Sequence, residues 1–184
     1  YYFCLHANET LSRLEQTPKL VIAALNGHTV GGGLEVALAC DLRIARRGAG
    51  KIGLPEVKLG VLPGTGGTQR LARLVGKSKA IEWMTLGQNF DIDAAVDLGL
   101  VHRVFDGDDF LEQVVDFARE FCTPGNAAMA VGHIKRSVQT GAELPLESGL
   151  ALERELQAKL FASDDAREGI AAYTEKRKPE FGGK

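Results

Sequence analysis

The chain has 184 residues, 45% hydrophobic and 25% charged, enough to bury one substantial core, and this excludes disordered and fibrous classes. A formal charge of −2 argues against general attraction to nucleic acid or an anionic membrane and favours a small anionic ligand over a polyanion. Cys4, Cys40 and Cys122 lack any Cys-x-x-Cys spacing, so neither a disulfide framework nor a zinc site is suggested and a reducing compartment is the default.

No apolar run reaches the roughly 20 residues that span a bilayer, because Asn26, Glu35 and Asp41 interrupt the longest one, and a soluble protein is expected. The sequence starts at Tyr1 without a leader pattern, so a preceding portion is also expected.

Leu11 and Leu14, spaced by three and followed by Pro18, predict a short helix over 8–16. The run Lys19–Leu25, "KLVIAAL", closed by Asn26-Gly27, predicts a strand buried on both faces of a parallel or mixed sheet. Three glycines then lead into a buried helix over 34–40. Strands follow at 41–45 and near Lys51-Ile52, giving a βα layering.

Beyond Pro63 the pattern turns helical, over 67–75, 78–86 and 93–98, with Asp91 available as an N-cap for the last. A strand over 101–105 precedes helices over 108–122, 126–140, 146–162 and 164–176, punctuated by Pro124-Gly125, Gly141 and Pro145. The chain thus divides into a sheet-containing part, 1–107, and a helical part, 108–184. The helical part is small enough to need other surfaces for its apolar faces, so self-association is expected.

Gly31-Gly32-Gly33 opens a helix whose first-turn amides no backbone carbonyl has claimed, a place for an anion or a developing oxyanion. Glu35, three residues after Gly32, lies near the same end. Two readings stand for it: a reacting carboxylate beside backbone donors, or a complement to the helix dipole worth about 0.3–1 kcal/mol.

Glu56, in "GLPEVKLG" after Pro55, is far enough along for the chain to cross a strand and return to the same cleft. Two carboxylates in an apolar cleft split into one protonated and one ionised group, a general acid and a general base. The alternative for Glu56 is a solvated loop acid.

Gly64-Thr-Gly-Gly67 matches neither a P-loop nor a dinucleotide fingerprint and reads as a tight backbone approach to a pocket or partner. His28 is either a ligand contact or a solvated loop side chain. The four histidines form no His-Glu-x-x-His, and there is no Gly-x-Ser-x-Gly, which removes those metal and serine chemistries.

The stretch Ile22–Leu42, "IAALNGHTVGGGLEVALACDL", together with "GLPEVKLGVLPGTGGTQRL" and the C-terminal "LFASDDAREGIAAYTEKRKPEFGGK", resembles the crotonase superfamily, the enoyl-CoA hydratase/isomerase family, over nearly the whole chain. The resemblance implies an α/β fold with a spiral core of ββα units and a helical C-terminal trimerisation region, residues 1–107 forming the C-terminal part of that core. It implies an acyl-CoA thioester substrate and an oxyanion hole with Gly32 as one donor. Glu35 and Glu56 would be the catalytic acids of hydration, and Gly31, Pro55, Gly64 and Lys176 substrate-binding residues.

No metal or redox cofactor is implied, coenzyme A being part of the substrate. The implied partners are further copies in a trimer or a hexamer of paired trimers, with no nucleic acid and no membrane. The implied location is cytoplasmic, or the mitochondrial matrix in a eukaryote. For Lys176, a solvated helix end remains the alternative to a contact with a neighbour's coenzyme A. The family's N-terminal strands, with the second oxyanion donor and much of the adenine surface, would precede Tyr1. Isomerase, hydrolase or decarboxylase activity on an acyl-CoA, or a non-catalytic or RNA-binding scaffold, are the other family roles.

Overall fold

The apolar run ending at Leu25 does form a strand, β1 (Ile22–Leu25), but a shorter one than the sequence predicts. In this computed structural model, which describes residues 1–184, Val21 N–H is taken instead by Asp41 Oδ2 at 2.7 Å. Ahead of it lies helix α1 (Tyr2–Glu15), which starts six residues before the predicted Asn8 and carries the exposed Tyr2 and Phe3.

The chain continues through β2 (Thr29–Val30), α2 (Gly32–Leu38), β3 (Leu42–Arg46) and β4 (Lys51–Gly53), and a single 3₁₀ turn over Glu56–Leu59. Next come α3 (Gly67–Val75), α4 (Lys77–Leu86), β5 (Asn89–Asp91), α5 (Ile92–Asp97), β6 (Arg103–Phe105) and α6 (Phe110–Arg119). The last three helices are α7 (Ala128–Gly141), α8 (Leu146–Phe161) and α9 (Asp164–Glu175).

Backbone packing divides the chain into two units: residues 1–15 with 21–114, and residues 16–20 with 115–184. The first unit holds two small sheets. One is parallel, in the order β1-β3-β6, with Ile22 opposite Leu42 and Ile44 opposite Arg103. The other is mixed: β2 runs parallel to β4, and β5 antiparallel to it. Because β1 is an edge strand, Ile22, Ala23 and Ala24 are half-buried, which corrects the expectation of a strand enclosed on both faces.

Leu34, Ala37 and Leu38 of α2 pack into the core with Leu25, Ala45, Ile52, Leu54, Leu71 and Trp83. Trp83 meets Phe90 edge-to-face at 5.0 Å, a geometry aromatic pairs favour. Arg43 locks the far end of α2. Buried in the core, its guanidinium donates to the carbonyls of Ala37 (3.1 Å) and Cys40 (3.0 Å) at the end of α2, and to that of Leu100 (2.8 Å) beyond α5. Asp91 caps α5 as predicted, accepting from Ala94 N–H at 2.9 Å.

In the second unit α7 lies on the segment 16–20. A Cβ on Gly132 would stand 2.7 Å from Pro18 O, and buried Lys135 donates to Lys19 O at 2.9 Å. Gly141 and Gly149 let α7 and α8 approach closely. Ser163 caps α9, and buried Asp165 holds the tail by accepting from Gly182 and Gly183 N–H at 2.7 and 3.0 Å. No helix is long and apolar enough to cross a membrane.

Candidate active site

A cleft of about 820 Å³ opens in the first unit. One wall is α1, contributing Phe3, Cys4, His6, Ala7, Thr10 and Leu11. Opposite it stand Gly32, Glu35 and Val36 of α2, then Glu56, Val61, Leu62, Gly64 and Thr65. Its walls are mainly apolar, and the two carboxylates are its only acids.

Glu35 is 3% exposed and sits in the first turn of α2, yet the donors that meet it do not come from that turn. They come from the glycine loop. Oε1 accepts from Thr65 N–H and from Gly67 N–H, each at 2.8 Å, and Oε2 accepts from the Thr65 hydroxyl. In α2 itself, Leu34 and Glu35 N–H close the helix on Gly31 O, at 2.8 and 3.1 Å. No backbone carbonyl takes the Gly32 N–H, and a Cβ at Gly32 would meet nothing within 4 Å. Since α2 has only seven residues, the available donor is that individual amide rather than a long helix's dipole.

Glu56 opens the 3₁₀ turn, and its Oε2 is buried without a hydrogen-bond partner although the residue as a whole is half-buried. Burial pushes its carboxyl above the ordinary carboxylate range. Its own backbone amide opposes the shift, and the Glu35 charge adds to it. The two acids therefore share one cleft and feel each other, in unequal settings: Glu35 holds three donors, whereas Glu56 has a bare oxygen.

Gly31 lies behind these acids. At φ +62° it turns the chain into α2, and a Cβ there would come within 3.2 Å of Glu56 Oε1. Gly64 lines the cleft, while Pro55 precedes the 3₁₀ turn and does not line it. Lys176 belongs to the second unit, exposed at the end of α9 with φ +56°. His28 accepts from Lys51 N–H at 3.0 Å and stacks over Gly50, so it braces the β2–β4 region. No three of His, Cys, Asp and Glu come together as a metal-ligand group.

Two site features were not read from the sequence: the apolar wall supplied by α1, and Thr65. A hydroxyl inside a glycine loop that reads as a close backbone approach was the available signal for the second.

The profile of the enoyl-CoA hydratase/isomerase family matches residues 3–184. The chain is 41% identical over 174 residues, 95% of its length, to the enoyl-CoA isomerase/hydratase fer4 of Mycosarcoma maydis, and spans 63% of that protein. To the short-chain-enoyl-CoA hydratase of Clostridium acetobutylicum it is 39% identical over 178 residues, 97% of its length and 67% of the relative's. The fold superposes on a crystal structure of "Enoyl-CoA hydrates" from Geobacillus kaustophilus HTA426 with a TM-score of 0.96 and 50% identity, over all of this chain and 69% of that one. The chain thus spans about two thirds of the length of each of these three proteins. It has the crotonase fold and belongs to the enoyl-CoA hydratase/isomerase family.

Proposed function

We propose that the protein is an enoyl-CoA hydratase that adds water across the 2,3 double bond of a trans-2-enoyl-CoA to give the 3-hydroxyacyl-CoA. One observation carries the proposal: Glu35, Glu56 and the unclaimed Gly32 amide line one apolar cleft. The water oxygen bonds to C3 as the π pair moves toward the thioester carbonyl, whose oxygen becomes enolate-like and is met by the Gly32 N–H. Such a donor typically contributes about 2.7–4 kcal/mol to the transition state.

Glu35, held by three hydrogen bonds, binds the water and takes its proton. Glu56, whose neutral form burial favours, delivers a proton to C2. The acids return to their starting states by exchange with solvent, and in dehydration they swap roles. Neither step uses a metal or redox cofactor. Phe3, Val61 and Leu62, exposed at the cleft, suit an acyl chain.

Exposed Ile134, Val138, Leu146, Phe161, Ile170 and Tyr173 on the second unit support association into trimers or hexamers, with Lys176 meeting the coenzyme A of a neighbour.

The test is turnover of short, medium and branched 2-enoyl-CoAs by the full-length protein, followed as loss of the conjugated absorbance. Inactivity on all three sinks the proposal. Because one relative is named isomerase/hydratase, a 3-enoyl-CoA is the second arm. Its conversion without any hydration would make the protein an isomerase instead.

A further inference from the structure

Of the two carboxylates in the cleft, only Glu35 is anchored at both oxygens, and one residue outside its helix supplies two of the three anchors. Thr65 gives its N–H to Oε1 and its hydroxyl to Oε2, while Gly67 N–H gives the remaining bond to Oε1. A carboxylate offers about four acceptor sites. With three filled, one is left, on an acid that lines the cleft.

The terminal torsion of a glutamate is broad and soft, and both oxygens turn together about it, so bonds at both oxygens hold it more firmly than bonds at one. The Thr65 hydroxyl supplies the hold at the second oxygen and occupies one of the acceptor sites of Oε2. Thr65 is itself held. Gly66, at φ +113°, turns the loop so that the flanking amides reach the same oxygen, and Arg70 Nη1 donates to Thr65 O at 3.4 Å. The β-branched side chain restricts the hydroxyl to few rotamers.

Building on the hydratase reading above, we infer that Thr65 is a positioning residue: its hydroxyl fixes the Glu35 carboxylate so that one oxygen site alone is presented to the reacting water.

The inference is tested with the full-length protein carrying Thr65→Val, which keeps the shape and removes the hydroxyl, and Thr65→Ser, which keeps the hydroxyl. Thr65→Val is expected to lower kcat for 2-enoyl-CoA hydration about tenfold with KM within about twofold, because the lost interaction orients the water rather than binding the substrate. Thr65→Ser is expected to recover kcat to within about threefold of wild type, as a donor with a looser rotamer should. If Thr65→Val does not fold, Thr65→Ala takes its place with the same expectation.

An unchanged kcat in the hydroxyl-free variant overturns the inference. So does a rise in KM alone, or a serine variant no better than valine, which would make Thr65 a packing residue. Each of these leaves the hydratase reading standing, whereas an inactive wild type overturns that reading and the inference together.

Discussion

Arg70 on α3 grips Glu15 at the end of α1 with two nitrogens, Nε at 3.2 Å and Nη2 at 3.0 Å, and both side chains are mostly shielded, at 14% and 28% exposure. The same guanidinium reaches Thr65 O, so one cation ties a wall of the cleft to the loop that holds Glu35. Arg70→Met, which breaks this tie, is expected to cost about 1–2 kcal/mol, read as a lower urea midpoint. Arg70→Lys recovers only part of it, since an ammonium cannot reproduce the planar fork. A midpoint equal to wild type in Arg70→Met would show the pair to be energetically idle.

Glu56 carries the prediction on pH. Burial and the Glu35 charge both favour its neutral form, so its protonated state persists above the ordinary carboxylate range. A carboxyl raised in this way lowers folding stability as pH climbs from its unfolded value through its folded one. Glu56→Gln removes that cost: its melting temperature at neutral pH should equal or exceed that of wild type, while hydration falls by about 10²–10⁴. A carbon-13 titration of Glu56 should move to lower pH in Glu35→Gln, where the like charge is gone. A move to higher pH would contradict the coupling.

Gly31 and Gly32 separate backbone strain from chemistry. Gly31→Ala forces a side chain into φ +62° and against Glu56 Oε1, so it should lower stability by about 1–2 kcal/mol as well as activity. At Gly32 a Cβ enters open space on a helical backbone, and Gly32→Ala should melt no lower than wild type yet lose turnover if that amide meets the thioester. Differential scanning calorimetry beside the enoyl-CoA assay distinguishes the two. Equal melting temperatures for both variants would contradict the strain argument.

Arg43→Met is expected to cost about 2–4 kcal/mol, because it removes a donor from the carbonyls of Ala37, Cys40 and Leu100 in the core and leaves Ala37 O with the Cys40 N–H alone. Since two of those carbonyls close α2, the loss should also appear as faster amide exchange in that helix. Protection unchanged from wild type would mean that water or a neighbour replaces the guanidinium.

Periodicity carried the sequence reading where elements are long enough to show it. The helices of the second unit and the Asp91 cap lie close to their predicted places, since three or four turns leave a repeating apolar face. Strands β2 and β5, two and three residues long, are too short for any alternation. Helix α1 began early because Tyr1, Tyr2 and Phe3 offer no capping signal. At the candidate site, Glu35 and Glu56 were legible as acids in apolar surroundings. The grip of Thr65 and Gly67 on Glu35 was not, because a contact across thirty residues leaves no local pattern.

That grip also separates what Glu35 is from where it points. The acid is encoded in α2, but its aim is encoded in the distance the chain travels from the 3₁₀ turn to α3. A residue inserted or deleted between Leu59 and Gly67 is expected to shift the carboxylate without any change in α2's own sequence. The length of this loop, and not its residues alone, is therefore part of what orients the acid.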